Sequence, residues 1–427
     1  MTAETAPSVA GETWFRDSAL TRILTVLNGD DAETRVVGGA VRNSLMGLPV
    51  ADVDLATTLL PQAVTARAEA DGIKVVPTGI AHGTVTLVAN GRGFEVTTLR
   101  RDISTDGRHA EVAFGTDWQA DAERRDLTMN ALYADREGRV IDLVGGLADI
   151  ETRAVRFIGD AHQRVAEDYL RVLRFFRFFA QYGSGRPDAE GLRASARAKD
   201  ELTRLSAERI WAEMKKLLGA KDPGRALLWM RTSGVLTVVL PETEKWGIDA
   251  IPGLIAAEAA YGWAPDALLR LMAIVPPGAE RLAALAERLR LSRAEAGRLR
   301  AFAEAPVVKP DLAGTALDRL LYRTGREGIV DRLRLALAVA RAKAEIETEK
   351  MAEAARLLDH LKRAEGWVKP AFPLGGADLM RAGVAAGPEI GRVLSALETI
   401  WVEGNFHLDR QALLARLPAV LEAGEKG

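Results

Sequence analysis

Short apolar runs separated by glycine turns occupy about the first 150 residues of the chain. The runs lie at 34–39, 72–79, 83–91, 93–100 and 139–146. Their valine and threonine content and their alternating apolar positions predict β-strands, and Asn90-Gly91 between two of them is typical of a hairpin turn. Helical spacing intervenes near 40–48 and 61–69. This part of the chain therefore predicts an α/β fold with a mixed sheet.

After about residue 160 the apolar positions follow helical spacing instead. Alanine, leucine, arginine and glutamate dominate, as in 207–218 and 286–304. Breaks that contain proline or glycine lie at 219–224, 276–278, 306–310 and 369–376. We therefore predict an α/β head followed by an all-α remainder.

Composition narrows the class of protein. A chain of 427 residues is longer than one core usually holds, so we expect several domains. The absence of cysteine excludes disulfide partners and thiolate metal sites, and it fits a cytoplasmic protein. No apolar run reaches the ~18 residues of a membrane span, and residues 1–15 lack the pattern of a secretory signal. We expect no membrane association.

Charge is distributed unevenly although the net charge is only −2. This small net charge argues against a protein that coats nucleic acid indiscriminately. Residues 153–186, however, contain seven arginines, no lysine and three acidic residues. Arginine suits bidentate contact with phosphates and base edges, whereas a solvated helix surface is the ordinary alternative.

The first candidate site is a glycine pair followed by an arginine. Gly38 and Gly39 end a predicted strand and lead into a helix, where backbone N–H groups can approach a phosphate closely. Arg42 adds a cation that could bind a triphosphate. The motif is not GxGxxG, so dinucleotide binding is only weakly indicated.

Two carboxylates follow in a strand-like stretch. Alternation places Asp52 and Asp54 on one face, about 7 Å apart, while Val53 and Leu55 point into the core. Such a pair can hold Mg²⁺ and can organise two ions around a transferring phosphate. Glu95, on another predicted strand, could be a third ligand.

Glu95 could equally be a strand-edge residue paired with Arg100 or Arg101. In the next cluster, Arg124 or Arg125 could reach a triphosphate while Asp126 orients it. The alternative there is an ordinary helix start.

A third cluster repeats every three residues and consists of Asp168, Arg171, Arg174 and Arg177. On a helix this spacing gives a stripe that winds around the axis. The neighbouring apolar positions, which we expect to pack inward, are Leu170, Leu173 and Phe176. An Asp–Arg pair three residues apart offers acceptors and donors to a nucleobase edge. A basic helix face packed by phenylalanines is the alternative.

Together these elements resemble the class II CCA-adding enzymes and bacterial poly(A) polymerases. The matching motifs are GGAVR at 38–42, DVD at 52–54, EVTTLRRD at 95–102, RRDLTMNAL at 124–132 and EDYLRVLRFFRF at 167–178. The likeness is dense over 34–242 and thin elsewhere, where 375–398 resembles the family's tail.

The resemblance implies roles for individual residues. Asp52 and Asp54 would be catalytic and hold Mg²⁺. The nucleotide would be bound by Gly39, Arg42, Arg125, Asp168, Arg171, Arg174 and Arg177. Within this set, Asp168 and Arg171 would recognise the base. Asn43 stands where the family usually has Asp, which puts a role of this position in orienting Arg42 in question.

The resemblance also implies an architecture and an activity. The architecture is a polymerase-β-type head with a helical neck, body and tail, divided into 1–33 (a helical extension), 34–150 (head), 151–222 (neck) and 223–427 (body and tail). The activity is template-independent addition of CCA to the 3′ end of tRNA from CTP and ATP in the cytoplasm, with tRNA held by the tail. The five histidines are scattered, so we expect no phosphohydrolase domain of the kind that some relatives carry.

Several rival functions share these motifs. A poly(A) polymerase would share all of them, although the C-terminal half is not strongly basic. Other rivals are a partial CC- or A-adding enzyme, a silent RNA-binding protein and a transferase for small molecules or proteins. Residues 102–111 are rich in Ser, Thr, Asp and Gly, and we expect a mobile loop. In the resembling family a flexible loop here helps the pocket change from CTP to ATP, and relatives that stop after CC lack it, which favours complete CCA addition over a partial activity. The alternative is that the segment is an ordinary hairpin connection.

Overall fold

The chain divides into two compact units, Met1–Glu244 and Lys245–Gly427, each described by itself. The computed structural model describes residues 7–29, 31–106, 109–244, 247–344, 347 and 350–425. The side chains of 81, 101–112 and 424–425 are outside this description. The finer subdivision at 33, 150 and 222 stays a prediction.

All strands of the described residues lie in the first unit. They are β1 Thr34–Val37, β2 Asp54–Thr57, β3 Lys74–Gly79, β4 Thr84–Ala89, β5 Arg92–Thr98, β6 Arg100–Asp106, β7 His109–Phe114, β8 Leu132–Ala134 and β9 Val140–Asp142. Seven strands form one sheet in the order β3-β4-β5-β2-β1-β8-β9. Only the β2–β5 pair is parallel among these described pairings. The predicted mixed sheet is confirmed.

Alternation in β4 and β5 produces the buried face of the sheet. Val85 and Leu87 in β4 and Phe94 and Val96 in β5 are buried, because every second side chain of a strand points to the same side. The hairpin between these strands turns at Asn90-Gly91, where both residues have positive φ angles of 49° and 74°. The hairpin prediction is therefore confirmed.

The segment 102–111 does not form the loop that we expected from its composition. Its described backbone belongs to β6 and β7, which pair antiparallel in a separate two-stranded sheet. Pairing between the two strands therefore overrides the turn preference of the local residues, since strand formation depends strongly on context. Gly107 and Arg108 lie outside the described residues, and mobility of the segment stays a prediction.

The first unit also contains helices, which alternate with its strands along the chain and then follow β9. They are α1 Ser18–Leu27, α2 Gly39–Leu45, α3 Pro61–Ala70, α4 Trp118–Glu123, α5 Gly146–Thr152, α6 Ala161–Glu167, α7 Leu170–Tyr182, α8 Ala189–Arg197, α9 Ala207–Leu218, α10 Gly224–Thr232 and α11 Val235–Val239. Short 3₁₀ segments lie at Ile80–His82, Thr128–Asn130, Lys199–Arg204 and Pro241–Thr243. Helix α7 buries Leu173 and Phe176, as predicted, and contacts α9 and α10. Leu170 instead remains partly exposed.

The second unit is all-α over its described residues. Its helices are α12 Ala250–Tyr261, α13 Ala267–Ile274, α14 Ala279–Arg288, α15 Arg293–Glu304, α16 Gly314–Thr324, α17 Arg326–Ala344, α18 Lys350–Gly366, α19 Gly376–Arg381, α20 Pro388–Glu403, α21 Arg410–Leu414 and α22 Leu417–Glu425. Leucines such as Leu333 and Leu361 pack one apolar core, and Leu397 and Trp401 pack another. In the described parts of both units, no helix has the length and apolar character needed to cross a membrane.

Candidate active site

A cavity of about 650 Å³ opens in the first unit beside the parallel pair β2–β5. Eight arginines line it: Arg42, Arg100, Arg124, Arg125, Arg171, Arg174, Arg177 and Arg209. Four carboxylates also line it: Asp54, Glu95, Asp126 and Asp168. The structure therefore brings the predicted clusters from the head and from α7 together in one place. Gly38 and Gly39 form part of the same wall.

Asp54 and Glu95 are directly opposite each other in the register of β2 and β5. Val53 and Leu55 are buried as predicted, so the Asp54 carboxylate faces the cavity. Burial raises the pKa of Asp54 above its ordinary value, and the nearby charges of Glu95 and Asp52 raise it further. Glu95 therefore lies beside Asp54 at the cavity wall, in a position suited to a ligand of a bound cation.

The placement of Asp52 corrects the sequence interpretation. We expected Asp52 and Asp54 on one strand, but β2 begins only at Asp54, where pairing with Val37 of β1 starts. Asp52 is exposed in the segment that precedes the strand. The predicted alternation nevertheless extends to Asp52, since Asp52 and Asp54 are exposed while Val53 and Leu55 are buried, and the charge of Asp52 acts on Asp54.

The carboxylates near Asp54 fit a magnesium ion whose coordination is completed by water and substrate. No three Asp, Glu or His side chains of the described residues converge closely enough to enclose a metal by themselves. Mg²⁺, however, is commonly bound through one or two carboxylates together with waters and substrate phosphates. Burial and the charges of Glu95 and Asp52 raise the pKa of Asp54, and a divalent cation would stabilise its charged form.

Arg42 is held almost completely buried, with 6% of its surface exposed. Gly38 starts α2 with a φ angle of 76°, a conformation that favours glycine. The guanidinium donates to Asn43 at 3.1 and 2.8 Å and to the Tyr182 hydroxyl at 2.8 Å, and also to Asn130. Asn43 donates in turn to the Pro49 carbonyl at 2.8 Å. The amide at position 43 thus orients Arg42 without a charge, which answers the question that the sequence left open.

Arg124 and Arg125 share a partner that the sequence interpretation missed. Asp121 of α4 accepts hydrogen bonds from Arg124 at 2.6 and 2.8 Å and from Arg125 at 2.9 and 3.2 Å. Tyr133 also donates to Asp121, at 2.8 Å. Our expectation that Asp126 orients one of these arginines was therefore wrong. The only available signal was that Asp121 lies one helical turn before the pair.

Asp126 instead pairs with an arginine 48 residues away. Its Oδ2 accepts from Nε of Arg174 at 2.6 Å, and its Oδ1 accepts from Asn130 at 3.1 Å and from the backbone of Leu127 at 2.9 Å. Burial would raise the pKa of Asp126, but the charge of Arg174 and these hydrogen bonds bring it below its ordinary value. The pair joins the head to α7.

The predicted stripe keeps its three arginines on α7, but Asp168 lies outside the helix. Asp168 follows the end of α6, and α7 begins at Leu170. Asp168 accepts from the Leu170 backbone at 3.0 Å and from Arg209 of α9 at 2.7 Å. A helix break that places only Asp168 and Tyr169 between helices is below what residue spacing alone can detect.

The remaining stripe arginines have their own acidic partners. Arg171 pairs with Glu167 and donates to the Arg124 carbonyl at 3.3 Å. Arg177 pairs with Glu213. Sequence reasoning missed Arg209 and Glu213, although their four-residue spacing places them on one face of α9.

Family comparisons match both parts of this unit. The model described as "Poly A polymerase head domain" matches residues 34–156, and the model described as "Probable RNA and SrmB- binding site of polymerase A" matches 187–246. A "CCA tRNA nucleotidyltransferase 1, mitochondrial" from Danio rerio is 35% identical over 415 residues, which cover 95% of this chain and 91% of that protein. The chain belongs to the CCA tRNA nucleotidyltransferase family.

Further members of the CCA tRNA nucleotidyltransferase family extend the likeness over nearly the whole chain. The Mus musculus protein of the same description is 33% identical, with coverage of 90% of this chain and 86% of that one. A crystal structure of the Bacillus stearothermophilus CCA-adding enzyme in complex with CTP superimposes with a TM-score of 0.70 at 27% identity, covering 96% and 98% of the two chains. The predicted nucleotidyltransferase class and polymerase-type head are confirmed.

Proposed function

We propose that this enzyme adds CCA to the 3′ end of tRNA without a nucleic-acid template, using CTP and ATP and releasing pyrophosphate in the cytoplasm. The observation that carries the proposal is the single cavity in which Asp54 and Glu95 face a set of arginines. The two carboxylates of this cavity suit a metal and the reacting phosphate, and its arginines suit a polyphosphate and a base. The names of the relatives support tRNA as the acceptor.

Asp52 and Asp54 would hold Mg²⁺, with Glu95 as a third carboxylate. When bound, the metal would lower the pKa of the attacking tRNA hydroxyl and neutralise charge on the transferring phosphate. The protein's own contribution is to hold Asp54 and Glu95 at paired positions of β2 and β5, with Asp52 just before β2. Burial of Asp54 and the charges of Glu95 and Asp52 raise its pKa, and a bound cation would offset both effects.

The triphosphate would lie against Gly39, Arg42 and Arg125. The three side chains that hold Arg42, those of Asn43, Asn130 and Tyr182, are all neutral. Its positive charge is therefore uncompensated by these partners and, in a buried setting, attracts an anion strongly. Arg174 and Arg177 would extend this cationic wall.

The base would be recognised by Asp168 and Arg171. Cytosine and adenine share an exocyclic amino donor next to a ring-nitrogen acceptor, whereas uracil and guanine present the reverse order. A carboxylate that accepts and a guanidinium that donates match the first pattern. The same pair of side chains can thus select both CTP and ATP and reject UTP and GTP.

A poly(A) polymerase is the second candidate because the head matches a family model of that description. It would use the same carboxylates and arginines. Complete CCA addition is favoured by relatives that are named for it and that align over 90% or more of this chain. Helices of the second unit would hold tRNA through its backbone and shape.

The test is incorporation of labelled nucleotides into tRNA that ends at the discriminator base. With Mg²⁺, CTP alone should give two additions, and CTP with ATP should give three. Chelation of the metal should stop both reactions. Incorporation that is equal with UTP, or that is independent of a divalent metal, would contradict the proposal.

A further inference from the structure

Asp121 lies behind the cavity wall and is almost fully buried, with 1% of its surface exposed. It does not line the cavity; among the described residues it contacts Arg124 and Arg125, which do. Each of its oxygens serves one arginine, since Oδ1 accepts from Arg124 and Oδ2 accepts from Arg125. The Tyr133 hydroxyl donates to Oδ2 as well.

Both guanidinium groups use the same edge to contact Asp121. In each case Nε and Nη2 donate to the carboxylate. The Nη1 ends therefore point away from Asp121, and the end of a guanidinium can form two parallel hydrogen bonds to phosphate oxygens. One carboxylate thus fixes two donor ends next to each other at the cavity wall.

We propose that Asp121 is a positioning residue that sets Arg124 and Arg125 as a paired donor for the pyrophosphate portion of the nucleotide. This inference rests on the proposed nucleotidyl transfer. Fixing both side chains before binding reduces the conformational entropy that a polyphosphate would otherwise have to overcome. Arg124 thereby acquires a role beside Arg125, to which we had assigned the triphosphate alone.

The charge state of Asp121 agrees with this arrangement. Burial would raise the pKa of its carboxyl, but the charges of Arg125 and Arg124 bring it below the ordinary value, so it is ionised at neutral pH. If Asp121 acted only through its charge, a neutral variant would change anion binding in the opposite direction from a variant that loses positioning. Asp121→Asn adds net positive charge to the site, which by itself would tighten anion binding, whereas loss of positioning would weaken it.

The experiment compares Asp121→Asn with Asp117→Asn in the full chain. Asp117 caps the same helix α4 by accepting from the Gln119 and Ala120 backbones, and asparagine caps nearly as well. Both variants therefore remove one negative charge from α4, but only one loses the arginine contacts. Binding of inorganic pyrophosphate is measured by calorimetry, together with KM and kcat for CTP and the melting temperature.

We expect Asp121→Asn to weaken pyrophosphate binding and raise KM for CTP by about tenfold, with a smaller change in kcat. Asp117→Asn should match the parent. Unchanged or tighter pyrophosphate binding by folded Asp121→Asn would overturn the inference. A purely structural role would lower the melting temperature without this selective change in KM.

Tyr133→Phe provides a second variant if Asp121→Asn does not fold. It removes the hydroxyl that donates to Asp121 and accepts from Arg125 at 3.2 Å while preserving the ring. Pyrophosphate binding should weaken about threefold, and parent-like binding would overturn the inference. If the parent bound pyrophosphate with this dependence but failed to extend tRNA, only the proposed function would be wrong.

Discussion

Asp54 and Glu95 occupy paired positions on the two parallel strands β2 and β5, and both line the arginine-rich cavity. Like charges at directly opposed positions in a sheet are destabilising. The pKa of Asp54 is raised, first by burial and then by the charges of Glu95 and Asp52. A fold that keeps two carboxylates in such proximity is well suited to bind a divalent cation between them and a substrate phosphate.

Asp54→Ala should reduce incorporation of both CTP and ATP by about a hundredfold or more, because a metal ligand is lost. Affinity for tRNA should remain, since helices elsewhere make most RNA contacts in the proposed function. The melting temperature should stay equal or rise, because repulsion with Glu95 is relieved. Transfer assays, tRNA binding and thermal melting check these outcomes.

The matched control is Glu69→Ala, which removes an exposed carboxylate of α3. It should behave like the parent in all three measurements. Retained transfer by Asp54→Ala would remove its metal role, and loss of folding would make the residue structural.

Arg171→Ala should impair the choice of nucleotide more than the rate of transfer. Discrimination against UTP and GTP should fall about tenfold or more, since a donor to the base is lost. Transfer efficiencies for all four nucleotides on matched tRNA ends give the comparison, with exposed Arg186→Ala as the control. An equal loss for every nucleotide would assign Arg171 to the phosphates instead.

The sequence predicted the sheet, the helical remainder and most cavity residues, because strand alternation and motif spacing are local properties. It could not predict partners formed across distance. Asp126 lies next to Arg125, yet folding pairs it with Arg174, and Asp121 takes the place that we had assigned to Asp126. Proximity in sequence suggested the wrong carboxylate because both candidates lie within one helical turn or less of the arginines.

Segment ends were the second source of error. Asp168 lies between α6 and α7, so it does not follow the helical periodicity used to place it. Asp52 precedes β2, although the alternation of exposed and buried residues predicted for 52–55 holds. Arg209 of α9 reaches Asp168 from 41 residues away. Such tertiary contacts depend on how helices pack, which a single chain's residue spacing does not specify.

The Asp126–Arg174 pair should make stability depend on pH. Because the folded-state pKa of Asp126 lies below its ordinary 3.8, the pair stabilises the fold above that pH and this contribution is lost as the pH falls through the lower folded value. Asp126→Asn should lower the melting temperature at neutral pH by about 5 °C or more. The difference from the parent should shrink as the pH falls below 3.8. A difference that stays constant down to about pH 2 would show that the ion pair does not cause it.

The β6–β7 hairpin should matter for the last nucleotide. At its base, Phe114 packs so closely on Gly83 that an added Cβ would lie 2.6 Å from the ring, which fastens the hairpin beside Thr84 of the cavity. Replacing 103–109 by a shorter Gly-Ser linker should leave both C additions near normal and slow the terminal A by about tenfold or more.

Stepwise extension of tRNA on a sequencing gel measures this effect, and a substitution within the exposed 185–186 turn serves as the control. If the shortened enzyme adds A at the parent rate, the hairpin is only a connection and has no part in the terminal addition.

The most direct test of CCA addition is the length of the product formed with ATP alone. The purified enzyme is given Mg²⁺, excess ATP and either tRNA that ends in CC or tRNA that already ends in CCA, and the products are resolved at single-nucleotide resolution. We predict that the first tRNA gains one A and the second gains none, because extension stops at a defined end. An open-ended ladder of A residues on either tRNA would contradict CCA addition and identify a poly(A) polymerase.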